Sequence, residues 1–279
     1  PTREEGRWLT AYKRSIGRLL LQKAAGPRTR APDMSVRIAG WSGPRNISTA
    51  MMRAWENRAD CAVIDEPFYA CYLAESGANH PCREAVMQSQ PIHRSEVISG
   101  LVADEPAPIY YQKHMTHHMP ADCDLSWAVA MHHVFLIRDP AAVIASYLNK
   151  MPTVTADDIG IVRQWELYQT ITELTGKSPT VIDSADVLSA PAALLSKLCA
   201  VLDVPWQEHE MITWPSGPRI SDGVWAQHWY QSVWASTGFS APTAQAINLS
   251  GAAQSLAQNM RPYYQALAIN RLTANESLV

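Results

Sequence analysis

The stretch Ser35-Val-Arg-Ile-Ala-Gly-Trp-Ser-Gly-Pro-Arg-Asn-Ile-Ser-Thr49 decides the fold of this chain. It begins with a short apolar run, passes through a polar loop and enters a segment with helical spacing over residues 48–58. A strand, a loop and a helix in this order direct the free N–H groups of the first helical turn at an anion. Arg45 adds a permanent positive charge, and Ser48 and Thr49 add hydroxyl donors. The alternative is an ordinary junction in which the Ser or Thr only caps the helix.

A second basic motif follows the fourth predicted strand. Residues 134–137 form an apolar run, Arg138-Asp-Pro follows at once, and Ser146 lies eight residues after the arginine. Ligands of open α/β sheets bind beyond the carboxyl ends of the strands. Arg138 therefore shares one crevice with residues 42–49 if the first and fourth strands are neighbours. An arginine and a hydroxyl side by side are typical of a phosphate site, and this site would be distinct from the first.

The rest of the sequence repeats the alternation of strands and helices. Further strands are predicted at 61–65, 109–112 and 180–182, with helices at about 48–58, 82–103 (in pieces), 140–148, 157–175 and 191–203. This alternation is typical of a parallel sheet with helices on both faces. We therefore predict a single P-loop-like α/β domain over residues 34–279, helical from about residue 206. Residues 1–33, which hold eight Lys or Arg and three Asp or Glu, are predicted to form a basic helical extension.

Composition excludes several classes of protein. The chain has 279 residues, 47% of them hydrophobic and 18% charged, so it can bury a sizeable core. A net charge of −3 disfavours a nucleic-acid-binding surface. No apolar run of 18 residues predicts a transmembrane segment. The five cysteines lack CxxC spacing, so we expect reduced thiols, no metal site and a cytoplasmic protein.

Together the two phosphate motifs resemble those of the sulfotransferase superfamily. Pro44-Arg-Asn-Ile-Ser-Thr49 is similar to the family's 5′-phosphosulfate loop, P-[KR]-S-G-T-T, with Ile47 in place of the usual glycine. Arg138-Asp-Pro with Ser146 is similar to the 3′-phosphate motif, although Ala142 stands where many members have Asp. Residues 180–204 resemble the late strand, turn and helix, and Arg219-Ile-Ser-Asp-Gly-Val-Trp225 the segment that closes over the nucleotide.

The resemblance implies a donor and the residues that bind it. The donor would be 3′-phosphoadenosine-5′-phosphosulfate (PAPS), used without a metal. Arg45, Ser48 and Thr49 would hold the 5′-phosphosulfate, and Arg138, Ser146 and Arg219 the 3′-phosphate. The full set of expected donor-binding residues is Ser42, Gly43, Pro44, Arg45, Asn46, Ile47, Ser48, Thr49, Arg138, Ser146 and Arg219.

The catalytic base has more than one candidate. Sulfuryl transfer needs a base for the acceptor and positive charge on the leaving group, which we assign to Arg45. Glu66 follows the second strand, and some members of the superfamily use a glutamate from this region. Other members have Lys-x-His after the third strand, where this chain has Lys113-His114 and then His117. Glu66, His114 and His117 therefore all remain candidates, with a slight preference for Glu66.

Other functions remain open at this level. A small-molecule kinase would hold Mg²⁺ on Asp65, but Ile47 and Ser48 replace the Gly-Lys of the GxxxxGK[ST] loop. The lysine of that loop is what reaches the transferred phosphate, so its absence argues against a kinase. A non-catalytic nucleotide-binding protein on the same fold is the other alternative. The acceptor is expected to be a small molecule that carries a hydroxyl or amine, and the protein could form a homodimer.

Overall fold

A five-stranded parallel sheet forms the centre of the molecule. The computed structural model describes residues 35–241 and 247–274. The strands are β1 (Val36–Ser42), β2 (Cys61–Asp65), β3 (Ile109–Met115), β4 (His132–Ile137) and β5 (Thr180–Asp183). Their order across the sheet is β2-β3-β1-β4-β5, and every neighbouring pair is parallel. The α/β fold and all five predicted strands are confirmed, and β1 and β4 are neighbours.

Helices cover both faces of this sheet. In chain order they are α1 (Ser48–Glu56), α2 (Tyr69–Ser76), α3 (Arg83–Ser89), α4 (Arg94–Val102), α5 (Pro140–Leu148), α6 (Ala156–Ile159), α7 (Ile161–Thr175), α8 (Ser184–Ser189), α9 (Pro191–Val201), α10 (Glu208–Ile212), α11 (Ala226–Trp229), α12 (Gln231–Trp234) and α13 (Gly251–Ala268). Two 3₁₀ turns, Thr116–His118 and Ser126–Ala128, follow β3. The helix predicted over 157–175 is two helices, because Gly160 adopts φ 70° between them.

Side chains that alternate along β1 and β4 divide the core into two layers. One face of the sheet packs on α4, α5, α7 and α13, and the other packs on α1, α9 and α10. The first layer includes Trp41, Phe135, Leu167, Ile171 and Leu267. The second includes Ile38, Leu136, Trp55, Leu194 and Leu198. This alternation has period two, as expected for strands buried on both faces.

Several sequence predictions concern features around this core. The predicted helical extension, residues 1–33, lies outside the described residues, so the domain boundary near residue 34 stays a prediction. All five cysteines are described, and none of them forms a disulfide. Among the helices of 35–241 and 247–274, none has the length and apolar character needed to cross a membrane.

The register of the sheet brings the predicted motifs to one edge. Ser42, the last residue of β1, lies opposite Met115 of β3 and Leu136 of β4. Asp65, the last residue of β2, lies opposite Lys113 of β3. The segments that follow these four strands therefore emerge side by side, and they form the cavity described next.

Candidate active site

Contacts with neighbouring strands and helices fix the shape of the loop between β1 and α1, and its left-handed positions are not glycines. Arg45 and Ile47 both adopt positive φ angles, 61° and 58°. Asn46 is buried and donates its side-chain amide to the carbonyl oxygen of Leu136, at 3.1 Å. Gly43 passes so close to α6 that a Cβ there would lie 2.4 Å from the carbonyl oxygen of Ile159. The loop is thus clamped to β4 on one side and to α6 on the other.

The N-terminus of α1 has no side-chain cap. Ile47 occupies the N-cap position and makes no side-chain hydrogen bond to the first turn. The ordinary-junction alternative, in which Ser48 or Thr49 serves as the cap, therefore does not describe this helix. No side chain of the described residues caps its first N–H groups, and anions are stabilised at such a terminus.

Ile47, the departure from the family's glycine, has a packing partner. Its side chain lies against the buried cluster on the α1 and α9 side of the sheet. A left-handed backbone is costly for a β-branched residue. Burial of the isoleucine side chain offsets that cost, so the loop keeps its shape without the glycine.

Two arginines connect the loop to the motif after β4. Arg138 donates from its guanidinium to the carbonyl oxygen of Arg45 at 2.6 Å. Arg45 donates from Nε to the hydroxyl of Ser146 at 3.0 Å, so all three predicted residues meet. Burial lowers the pKa of both guanidinium groups, and Arg45 lowers the pKa of Arg138 further. Among the described residues neither arginine forms an ion pair with a carboxylate, so two partly buried positive charges face the same space.

That space is a cavity of about 1140 Å³. The loop residues Pro44–Thr49, Arg138 and Ser146 line one side of it. The other side carries aromatic and titratable side chains from the ends of β2 and β3, from α2 and the loop after it, and from residues 225–241, which we call the C-terminal segment. These are Glu66, Tyr69, Tyr72, His80, Lys113, His117, His118, Trp225 and Tyr230.

A buried network joins the second and third strands to the C-terminal segment. The ammonium group of Lys113 lies 2.8 Å from Asp65 Oδ1, 2.5 Å from Glu66 Oε1 and 2.8 Å from the hydroxyl of Tyr230. Burial raises the pKa of Glu66, and the charge of Lys113 opposes that rise. Burial also disfavours the charge on Lys113, but the two carboxylates outweigh it and raise the pKa of this lysine. Glu66 thus combines a cavity position with the raised pKa of a general base.

The two candidate histidines occupy different places: His114 is the second-last residue of β3, and His117 lies in the 3₁₀ turn after that strand. Lys113 lies on the cavity, whereas the next residue, His114, packs against Trp41 with ring centroids 4.5 Å apart. His114 is 1% exposed, and burial lowers its pKa to about 3. His117 lies on the cavity, and burial lowers its pKa to about 3 as well. His117 therefore lines the same cavity as Glu66 and the two arginines, whereas His114 does not.

A second buried histidine, His133, lies in β4, on the opposite side of β1 from His114, and is hydrogen-bonded to Trp41. Because the pKa of His133 is lowered, we predict that it makes the stability of the fold depend on pH. Trp41 donates from Nε1 to His133, and burial lowers the pKa of His133 from 6.5 to about 4. Below pH 6.5 the unfolded chain binds a proton at this position that the folded chain does not bind. The contribution of His133 to stability is therefore complete above pH 6.5 and is lost as the pH falls toward 4.

We expect this loss to account for about 0.8 kcal/mol of the unfolding free energy between pH 7.5 and pH 6. In His133→Gln the pH-dependent fall should be smaller by that amount, measured by urea unfolding at both pH values. His132→Gln is the matched control, because His132 precedes His133 in β4 and is exposed. An equal pH-dependent fall in His133→Gln and the wild type would contradict the prediction.

Arg219 lies apart from the other donor-binding candidates. Its backbone N–H donates to Asp222 at 2.8 Å, and its guanidinium donates to the carbonyl of Pro215 at 2.6 Å. The guanidinium also lies 4.0 Å from Glu56 at the end of α1. It is not among the residues that line the cavity. In this structure Arg219 therefore pins the segment after Trp214 to α1.

Sequence reasoning missed several residues of the cavity. Tyr69 and Tyr72 project from α2, a helix that was not predicted, and His118 stacks between their rings at 4.6 and 4.9 Å. The hydroxyl of Tyr69 bonds His80 at 2.9 Å. The i, i+3 spacing of the two tyrosines directly after Asp65-Glu66-Pro was the available signal. Tyr230 gave no such signal, because it comes from a segment far away in sequence.

Known proteins resemble this chain over most of its length. Residues 36–271 match the family described as "Sulfotransferase domain". The chain is 32% identical over 206 residues to "Branched-chain-amino-acid aminotransferase-like protein 1" of Arabidopsis thaliana. It is 29% identical over 206 residues to "Branched-chain-amino-acid aminotransferase-like protein 2" of the same plant. Each match covers 74% of this chain but only 37% and 36% of the plant proteins, so the chain spans little more than one third of their length.

A solved structure shares the fold. It is the sulfotransferase from Alicyclobacillus acidocaldarius, with a TM-score of 0.52 at 8% identity. The alignment covers 85% of this chain and 97% of that structure. At this identity the likeness concerns the fold alone.

Proposed function

The chain belongs to the sulfotransferase domain family, and from that premise we propose that it transfers a sulfuryl group from PAPS to a hydroxyl or amine of a small acceptor. The observation that carries the proposal is the meeting of Arg45, Arg138 and Ser146 beside the uncapped N-terminus of α1. Two guanidinium groups without a carboxylate partner among the described residues suit a ligand with two separate anionic groups. PAPS carries its 5′-phosphosulfate and its 3′-phosphate in this way.

The residues present fit the two anionic ends of such a donor. The N–H groups at the start of α1, together with Arg45, Ser48 and Thr49, would hold the 5′-phosphosulfate. Arg138 and Ser146, at the start of and within α5, would hold the 3′-phosphate. We leave Arg219 out of the binding set, because it does not line the cavity in this structure.

The proposed reaction divides its tasks between the two sides of the cavity. The bond from sulfur to the 5′-phosphate oxygen breaks while a bond from sulfur to the acceptor oxygen or nitrogen forms. Arg45 stabilises the negative charge that develops on the leaving phosphate. Glu66 accepts the proton of the acceptor, and burial, which raises the pKa of Glu66, makes it a stronger base. The aromatic side chains Tyr69, Tyr72 and Trp225 would contact the acceptor.

The kinase alternative meets an obstacle at Asp65. Both oxygens of this buried carboxylate already have partners, since Lys113 donates to Oδ1 and Tyr230 donates to Oδ2 at 2.7 Å. The adjacent ammonium charge also repels a divalent cation. Asp65 is therefore poorly suited to hold Mg²⁺, which was its role in the kinase hypothesis.

The names of the plant relatives suggest an aminotransferase-like protein, but this chain spans little more than one third of them. The stretch that matches them and the stretch that matches the sulfotransferase domain together exceed the length of the chain, so they overlap. We propose that the sulfotransferase-like activity belongs to the shared stretch.

A ligand comparison tests the proposed donor. Adenosine 3′,5′-bisphosphate should raise the melting temperature of the protein more than 5′-AMP does at equal concentration, without added metal. The reason is that Arg138 and Ser146 would interact with the 3′-phosphate, which 5′-AMP lacks, and at equal concentration the ligand that binds the folded state more tightly stabilises it more. Differential scanning fluorimetry measures both shifts. Equal shifts, or a shift that requires ATP with Mg²⁺, would contradict the proposal.

A further inference from the structure

The hydrogen-bonding capacity of Lys113 is completely used. An ammonium group has three N–H donors and no acceptor. The three donors of Lys113 meet Asp65 Oδ1, Glu66 Oε1 and the hydroxyl of Tyr230, all within 2.8 Å. This side chain is 1% exposed, so its charge is not shared with solvent. Among the described residues, the hydrogen bonds of this ammonium group therefore go to the two carboxylates and to Tyr230.

The hydroxyl of Tyr230 is saturated in the same way. A phenol has one donor and two acceptor sites. The oxygen accepts from Lys113 and from Trp225 Nε1, at 2.8 and 3.1 Å. Its own hydrogen has two possible acceptors, Asp65 Oδ2 at 2.7 Å and Glu66 Oε1 at 3.3 Å. The shorter contact assigns that hydrogen to Asp65, so Asp65 receives a hydrogen bond on each oxygen.

Glu66 is left with one unused oxygen. Its Oε1 atom accepts from Lys113, whereas Oε2 accepts no hydrogen bond from the described residues. Glu66 also lines the cavity, which the better-bonded Asp65 does not. Of the four carboxylate oxygens in the network, Oε2 of Glu66 is therefore the one placed to take a proton from a molecule in the cavity.

The two carboxylates compete for one positive charge. Asp65 accepts from Lys113 at 2.8 Å and from Tyr230 at 2.7 Å, whereas Glu66 accepts from Lys113 at 2.5 Å. The groups that face Glu66 are Asp65 from β2, Lys113 from β3, Tyr69 from α2 and Tyr230 from the C-terminal segment. Both tyrosine hydroxyls are neutral near pH 7, because burial raises the pKa of each. Asp65 is thus the nearby negative charge that makes Glu66 hold a proton more tightly.

We propose that Asp65 is a positioning residue that keeps Glu66 basic, because its charge lies beside Glu66 and its hydrogen bonds with Lys113 and Tyr230 leave Oε2 of Glu66 free toward the cavity. The link to catalysis rests on the function proposed above. The effect on the Glu66 carboxyl group does not, since it is a property of the protein without donor or acceptor. The two parts can therefore fail separately.

The test is a titration of Glu66 itself. Protein labelled with ¹³C at the glutamate carboxyl is followed by NMR as a function of pH, and Glu66→Gln identifies the resonance by its loss. In Asp65→Asn the removal of the like charge should lower the proton affinity of Glu66 by about tenfold or more, which is one pKa unit or more. Asp122→Asn, an exposed aspartate on the loop before Ser126, should leave the titration of Glu66 where it is in the wild type.

A milder variant protects the test from a folding failure. Tyr230→Phe keeps the ring and removes only the hydroxyl, so the charge of Asp65 stays beside Glu66 and loses one donor that offsets it. The proton affinity of Glu66 should then rise, opposite to the change in Asp65→Asn, because the hydroxyl of Tyr230 lowers the pKa of Glu66 in the wild type. An unchanged titration of Glu66 in Tyr230→Phe and in folded Asp65→Asn overturns the inference. A shifted titration in a protein that transfers no sulfuryl group would instead overturn the proposed function.

Discussion

Replacement of Arg138 by alanine is expected to weaken the binding of adenosine 3′,5′-bisphosphate by about 30- to 5,000-fold, the range for removal of one partner of a buried charge pair. Two effects contribute. The variant removes one of the two positive charges that face the cavity. It also removes the 2.6 Å hydrogen bond to the carbonyl of Arg45, which helps to fix the loop between β1 and α1. Isothermal titration calorimetry on both proteins measures the change in dissociation constant.

The comparison with 5′-AMP shows which phosphate Arg138 binds. If Arg138 holds the 3′-phosphate, the wild type prefers the bisphosphate and Arg138→Ala loses most of that preference. Arg83→Ala is a matched control, because this arginine on α3 pairs with the exposed Glu84 and does not line the cavity. A dissociation constant in Arg138→Ala equal to that of Arg83→Ala would remove Arg138 from the site.

Replacement of Glu66 by glutamine is expected to lower turnover by about 10²- to 10⁴-fold, the usual contribution of a general base. Glutamine has nearly the same shape, and its carbonyl oxygen can still accept the hydrogen bond from Lys113. It cannot accept a proton as a carboxylate does. The affinity for adenosine 3′,5′-bisphosphate should therefore stay near that of the wild type. Steady-state assays with PAPS and an accepted acceptor, paired with calorimetry, separate the two quantities.

His117 is the alternative base, and His117→Gln is the matching variant. Its imidazole lines the cavity, but its pKa of about 3 makes it a weak proton acceptor. We expect a smaller loss of turnover in His117→Gln than in Glu66→Gln. Full activity in Glu66→Gln with a large loss in His117→Gln would reverse the assignment.

The meeting of Arg45, Arg138 and Ser146 could be predicted from the sequence because it depends on local rules. The Arg45 loop and the Arg138 motif each follow an apolar run, and parallel strands bring such segments to one edge of a sheet. One further condition, that β1 and β4 are neighbours, was assumed rather than derived, and the structure meets it.

The part of the cavity around Glu66 and Tyr230 could not be predicted to the same extent, because it depends on contacts between distant segments. Tyr230 reaches Asp65 from 165 residues away in sequence. The sequence could not show whether His114 lies on the cavity, because the end of β3 was not predicted correctly. The strand continues to Met115, and His114 packs on Trp41. Arg219 matched a family pattern, but its contacts with Pro215, Asp222 and Glu56 place it at α1.

The left-handed Ile47 has a consequence for how the donor would bind. Glycine samples many backbone conformations in the unfolded chain and in a free loop, whereas isoleucine samples few. A loop whose bend is supported by a partly buried isoleucine side chain has little conformational entropy left to lose when a ligand arrives. Its affinity for an anion is then reduced less by ordering than that of a glycine-rich loop. The loop between β1 and α1 would therefore take its shape during folding, before the proposed donor binds.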